Sequence, residues 1–159
     1  MKKSRSLVNR PLERHLRLAV ASFAERKDIS ALFSSFDREK YLPDTGQIVN
    51  GLSGNCVLYS DQLEIYIKSR FCIKLEPAYS RLRRVHTFLT STTRDSGELI
   101  VDPTLGQFVA YPTVFVGTEN DLRATFMDSE RRFLCGTRLW AVKHDITSRE
   151  EWFEILYQR

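Results

Sequence analysis

The sequence predicts an α+β fold in which N-terminal helices pack on an antiparallel β-sheet. Apolar residues recur at helical spacing in the first third of the chain, β-branched and aromatic residues become frequent after residue 71, and a turn at 94–97 separates two strand-like runs. Helices that precede strands favour this class over a parallel sheet of alternating elements. The 159 residues suit a single domain, which we place at 1–159.

Two amphipathic helices are predicted near the N-terminus. The first runs from Pro11 to about Lys27, because proline suits a first helical turn and the apolar residues that follow have helical spacing. Ser30 is expected to cap a second helix that continues to about Tyr41, before the turn at 43–46. The apolar residues of the two helices are Leu12, Leu16, Leu18, Val20 and Phe23, then Leu32, Phe33 and Phe36.

A third helix is expected to begin at Cys56. The preceding loop contains Gly51 and Gly54, and either Ser53 or Asn55 has a side chain suited to capping a helix. Apolar residues then follow at helical spacing, namely Val57, Leu58, Leu63, Ile65 and Tyr66. Cys56 is therefore predicted to lie at a helix N-terminus.

The second half of the chain predicts a β-hairpin, two further strands and two helices. The hairpin pairs Val85–Thr93 with Glu98–Val101 around the Arg-Asp-Ser-Gly turn. Ser148 and Glu151 form a capping-box pattern at the start of the last helix. The other predicted elements are strands at Thr113–Val116 and Phe133–Val142, and helices at Glu119–Met127 and Ser148–Tyr157.

Composition narrows the classes of function. The net charge of +4 is a small excess of interspersed basic residues, which makes nucleic acid an unlikely partner; the basic segments Met1–Arg17 and Arg81–Arg84 are expected to be solvated surface. No apolar run approaches the ~18 residues of a membrane span. The basic N-terminus lacks the apolar segment of a classical signal peptide. We expect a cytoplasmic protein, or one delivered to another cell without such a peptide.

Cys56 is the candidate nucleophile. A thiol is nucleophilic as the thiolate, and a helix N-terminus favours that form through its unpaired amides and its dipole. A small apolar residue beginning a buried helix would also suit this place. Cys72 and Cys135 are expected in the core, and the spacing of the three cysteines predicts no zinc site.

His86 and Asp102 are the candidate general base and its orienting carboxylate. They lie on the two arms of the predicted hairpin, and pairing around residue 95 brings them nearly opposite each other. The alternatives are a solvent-facing strand histidine and an ordinary Asp-Pro turn. His15 is expected on an exposed helix face, and His144 near a strand end without a matching cysteine loop.

These segments together resemble a known group. Gly54-Asn55-Cys56, His86-Thr87-Phe88-Leu89 and the run from Ile100 to Phe108 look like the papain-fold toxins and glutamine deamidases of the papain-like and transglutaminase-like superfamily. The resemblance covers 52–108. It implies a nucleophile that opens a helix, with histidine and aspartate on neighbouring antiparallel strands. It also implies that Gln107 completes the oxyanion hole, whereas in papain-like proteases a glutamine upstream of the cysteine, here Gln47, has that role.

The expected function is therefore that of a cysteine-nucleophile hydrolase or acyl transferase acting on a carboxamide of a protein or peptide substrate. Glutamine deamidation is placed ahead of thiol peptidase and transglutaminase-type chemistry because of Gln107. The interval from Cys56 to His86 is short, which leaves little room for insertions that shape a substrate groove. No metal or organic cofactor is required. A non-catalytic binding module that uses Trp140, Trp152 and the basic segments as surface is the alternative from another class.

Overall fold

The computed structural model describes residues 10–34, 40–42, 47–49, 55–80, 86–93, 97–133, 146 and 148–159. The helices are α1 (Arg10–Ala24), α2 (Lys27–Ser34), α3 (Cys56–Phe71), α4 (Glu119–Met127) and α5 (Arg149–Tyr157). The strands are β1 (Lys40–Leu42), β2 (Gln47–Val49), β3 (Glu76–Tyr79), β4 (Thr87–Thr93), β5 (Gly97–Asp102) and β6 (Phe115–Gly117). A 3-10 turn covers Leu105–Gln107. The predicted α+β class, with helices and an antiparallel sheet, is confirmed.

The central sheet has four antiparallel strands in the order β3-β4-β5-β6. β4 and β5 are the arms of the predicted hairpin, and their register pairs Leu89 with Val101 and Thr93 with Gly97. Extended by one pair, this register sets Phe88 opposite Asp102, the last residue of β5, so His86, directly before β4, lies two residues further along on the same face. A separate pair is formed by β1 and β2.

Apolar clusters cover both faces of the sheet because neighbouring side chains along a strand point to opposite faces. On one face Leu89 and Val101 pack with residues of α1 and α3. On the other face Phe88 and Ile100 pack with residues of α4 and α5. The helix residues of the two clusters are Leu16, Ala19, Val20, Phe23, Leu63, Tyr66 and Ile67, and then Leu122, Phe126, Trp152, Phe153, Leu156 and Tyr157.

The prediction for the second helix was wrong at both ends. α2 begins at Lys27, so Ser30 lies inside the helix, and Asp28 supplies the negative charge that favours a helix N-terminus. Tyr41 belongs to β1, where it pairs with Ile48 of β2. The strand pairing overrides the helical spacing of the apolar residues. Side chains 31–42 lie outside the described part.

Apolar residues at helical spacing are not all buried, and the surface role considered for Trp152 is wrong. Leu18, Val57, Leu58 and Ile65 are exposed, because the packed faces of α1 and α3 run through other residues, such as Ala19 and Ile67. Trp152 is buried in the second apolar cluster and is not a surface residue. Apolar character alone therefore did not identify the face of a helix that meets the sheet.

Cys72 corrects another expectation. It is exposed and forms the C-cap of α3, with a left-handed backbone (φ 54°) that ends the helix before β3 begins. It is therefore not a core residue within a strand.

The remaining elements agree more closely with the sequence. α4 has the predicted bounds, and Ser148 caps α5 by accepting a hydrogen bond from the amide of Glu151. β6 begins two residues later and ends one residue later than expected, and Phe133 forms only a single bridge with Val109 among the described residues. The predictions for 50–54, Arg81–Arg84, Cys135, Trp140 and His144 fall outside the described ranges. Within the described ranges, no helix combines the length and apolar character that a membrane-spanning helix needs.

Candidate active site

Cys56 is the first residue of α3, as the sequence predicts. The residue is buried, with 8% of its surface exposed. Asn55 occupies the N-cap position and its carbonyl accepts a bond from the amide of Tyr59 at 3.0 Å, but its side chain makes no capping bond. The backbone amide of Thr87, the first residue of β4, donates to the Cys56 sulfur. The thiol is therefore placed where backbone amides stabilise negative charge.

His86 lies directly before β4 and is fully buried. Its backbone is held on both sides by Ser80: the amide of His86 donates to Ser80 Oγ at 3.1 Å, and the amide of Ser80 donates to the His86 carbonyl at 3.1 Å. The imidazole lies edge-on to the ring of Phe108, with centroids 4.9 Å apart. Packing and backbone bonds together fix the direction of the ring.

The two ring nitrogens of His86 face different partners. Nε2 is 2.7 Å from Asp102 Oδ2. The side chain of Cys56 also hydrogen bonds to His86. Because Nε2 faces Asp102, Nδ1 is the nitrogen left for Cys56. The imidazole therefore lies between the thiol and the carboxylate.

Asp102 ends β5 and is fully buried. Its Oδ1 accepts bonds from the backbone amide of Thr104 at 2.8 Å and from Thr104 Oγ1 at 3.3 Å. Its Oδ2 is shared by His86 Nε2 and the hydroxyl of Tyr157, which donates at 2.6 Å. The burial of a carboxylate is costly without hydrogen-bond partners, and Asp102 has partners on both oxygens.

Gln107 lies in the 3-10 turn after β5, with 8% of its surface exposed. Its side-chain nitrogen donates to Thr104 Oγ1 at 3.2 Å and lies 3.4 Å from His86 Nδ1. The amide is therefore on the same side of the imidazole as Cys56. Gln47, the alternative oxyanion donor, lies in β2, and its side chain is outside the described part.

The electrostatics of the site favour a thiolate and imidazolium pair. Burial alone would raise the pKa of the Cys56 thiol, but its hydrogen bond to His86 and the charge of His86 lower that pKa below its ordinary value. Burial alone would lower the pKa of His86, but the carboxylate of Asp102 outweighs it and raises that pKa to about 9. The charged form of each group stabilises the charged form of the other, and with its pKa at about 9 His86 is protonated near neutral pH.

The structure brings the four predicted site residues together, and it adds two that the sequence analysis did not select. Thr104 supplies two of the donors to Asp102, and the Asp-Pro-Thr pattern could have indicated it, because an aspartate often accepts bonds from the backbone two residues later. Tyr157 comes from the last helix, 55 positions from Asp102, and no local pattern indicates that contact. His15 is exposed on α1, as expected.

The described residues contain no group of three or more histidine, cysteine, aspartate or glutamate side chains placed to hold a metal ion. Cys56, His86 and Asp102 instead interact directly with one another. A thiol, an imidazole and a carboxylate in contact are the kinds of group that proton transfer and nucleophilic attack use.

The chain was also compared with models of protein families, with curated proteins and with solved structures. None of the three comparisons finds a match. The resemblance of residues 52–108 to papain-fold deamidases remains an expectation from the sequence.

Proposed function

We propose that this chain is a cysteine-nucleophile enzyme that acts on carboxamides, with Cys56 as nucleophile, His86 as proton carrier and Asp102 as its orienting group. The observation that carries the proposal is the buried imidazole of His86, which hydrogen bonds to the Cys56 side chain and lies 2.7 Å from Asp102 Oδ2. This is the arrangement that nucleophilic catalysis requires of a thiol, a base and a third group that holds the base.

The reaction would begin with attack of the Cys56 thiolate on the amide carbon. The oxyanion would accept bonds from the backbone amide of Cys56, at the start of α3, and from the side chain of Gln107. The imidazolium of His86 then gives its proton to the departing nitrogen, which leaves as ammonia while a thioester forms. Water attacks the thioester with its proton passing to His86, and the product acid leaves as the thiolate is restored.

We place glutamine deamidation of a protein ahead of peptide cleavage and acyl transfer. The support is the location of the Gln107 amide beside His86 Nδ1, on the face of the imidazole that Cys56 also approaches. A papain-like or transglutaminase-like fold is part of the same proposal. It is supported by the order of the elements. Cys56 begins α3, His86 directly precedes β4, and Asp102 ends β5, which pairs with β4.

The pH dependence of thiol alkylation tests the proposal without a known substrate. Because the pKa of Cys56 is lowered, its reaction with iodoacetamide should remain fast below pH 8, where the exposed thiol of Cys72 serves as an internal comparison on the same chain. Peptide mapping by mass spectrometry gives the rate at each cysteine. Turnover should fall as pH rises through about 9, since His86 then loses the proton that the leaving group needs. Equal pH profiles for Cys56 and Cys72 would contradict the proposal.

Replacement of Gln107 tests its assignment to the oxyanion hole. Gln107→Ala should lower turnover by about 100-fold, because an oxyanion donor acts mainly in the transition state. Alkylation of Cys56 should change little, since the pairing of His86 with Asp102 remains. The readout is ammonia release from a set of glutamine-containing peptides, with the melting temperature measured in parallel.

Gln47→Ala is the matched comparison. A large loss for Gln47→Ala with a small one for Gln107→Ala would move the oxyanion hole to the upstream position that papain-like proteases use. A lower melting temperature with unchanged turnover in Gln107→Ala would reduce Gln107 to a structural residue of the turn.

A further inference from the structure

We propose that Tyr157 is a positioning residue of this site, whose hydroxyl holds the carboxylate of Asp102 directed at His86. The inference rests on the proposed function and concerns how its charged pair is maintained. Tyr157 is in the last turn of α5, and its hydroxyl donates to Asp102 Oδ2 at 2.6 Å. The donor comes from α5, which is distant in sequence from Asp102 and reaches it through packing against the sheet.

The hydroxyl of Tyr157 bonds to the same carboxylate oxygen of Asp102 that contacts His86. Oδ1 of Asp102 is held by Thr104, whereas Oδ2 receives both His86 Nε2 and the hydroxyl of Tyr157. The ring of Tyr157 also lies edge-on to the imidazole, with centroids 5.3 Å apart. The side chain of Tyr157 therefore holds the carboxylate of Asp102 and packs against the imidazole of His86.

The hydroxyl can act only as a donor at this place. Burial, with the neighbouring carboxylate of Asp102, raises the pKa of Tyr157 well above its ordinary value, so the phenol keeps its proton. In the part of the chain that the structure describes, the ionisable groups that face Tyr157 in addition to Asp102 are His86, directly before β4, and Cys56 of α3. Tyr157 also lines a cavity of about 340 Å³, together with Glu119, Phe153, Glu154, Gln158 and Arg159. Arg159 pairs with Glu98, and Glu154 with Arg123, so these charges have partners of their own.

Removing the hydroxyl should act on the acid side of the pH profile. Without this donor, Oδ2 of Asp102 is no longer fixed against His86 Nε2, so the imidazolium is held less firmly beside Cys56. A less firmly held imidazolium stabilises the Cys56 thiolate less, so formation of the charged pair shifts toward higher pH.

The experiment is the pH profile of Cys56 alkylation in the wild type, Tyr157→Phe and Tyr66→Phe. Phenylalanine keeps the ring contacts of Tyr157, and circular dichroism confirms that each variant is folded. Tyr66 is the matched control, because its buried hydroxyl also makes a 2.6 Å hydrogen bond, to Ser22 Oγ, within the other apolar cluster. We expect Tyr157→Phe to move the apparent pKa of Cys56 up by about one unit, a tenfold slower alkylation on the acid side, while Tyr66→Phe loses stability only.

The outcomes separate the two proposals. An activated Cys56 in the wild type with an unchanged profile in Tyr157→Phe would overturn the role of Tyr157 and leave the proposed function standing. An ordinary thiol profile for Cys56 in the wild type would overturn both, since no activated pair would then exist for Tyr157 to maintain.

Discussion

Replacement of Cys56 by alanine is expected to abolish carboxamide turnover, with a loss of roughly 10⁴-fold or more, because no other group of the site can form the thioester. The change should leave the fold intact, since alanine suits the start of a helix and removes one sulfur atom. Ammonia release and the melting temperature, measured on the same samples, distinguish loss of chemistry from loss of structure.

Cys72→Ala is the control for this experiment. Cys72 is exposed at the end of α3, far along the helix from Cys56, so its replacement should leave turnover unchanged. Full turnover in Cys56→Ala, or its loss in Cys72→Ala, would remove Cys56 from the role of nucleophile. Cys56→Ser adds a second comparison, because the hydroxyl keeps the size of the group but is not ionised by His86.

The part of the site that the sequence could predict is local. Cys56 at the start of α3 follows from a glycine-containing loop before a helical pattern, and the approach of His86 to Asp102 follows from the hairpin predicted around the turn at 94–97, to within about two residues of register. Patterns of this kind lie within about 20 residues of sequence, so they can be recognised without the tertiary fold.

The part that could not be predicted depends on long-range packing. Ile65 is exposed and Trp152 is buried because of which helix face meets the sheet, and apolar residues occur on both faces of these helices. The bond from Tyr157 to Asp102 spans 55 positions. Only the packing of α5 beside the end of β5 creates it, and no spacing in the sequence encodes that arrangement.

Replacement of Asp102 by asparagine is expected to lower turnover by about 10⁴-fold by changing the tautomer of His86. The backbone amide and hydroxyl of Thr104 both donate to the Oδ1 position, so the amide oxygen of asparagine must lie there. Its NH2 group then faces His86 Nε2 and makes that nitrogen an acceptor. The proton of the neutral imidazole moves to Nδ1, which can no longer accept the proton of the Cys56 thiol.

Asp102→Asn should also remove the activation of the Cys56 thiol. The carboxylate of Asp102 is what raises the pKa of His86 to about 9, and without it the burial of the ring favours the neutral form. Cys56 then loses its cationic partner, and its alkylation near neutral pH should slow to the rate of an ordinary thiol. This distinguishes Asp102→Asn from Gln107→Ala, which is expected to lower turnover alone.

Asp121→Asn is the matched control for Asp102→Asn. The carboxylate of Asp121 likewise accepts bonds from the amide and hydroxyl of a threonine, Thr118, at 3.0 and 2.8 Å, but it does so in the capping box of α4. Its replacement should cost about 1 kcal/mol of stability and leave both turnover and alkylation unchanged. If Asp102→Asn likewise lowers only the melting temperature, the carboxylate serves the fold and not the orientation of His86.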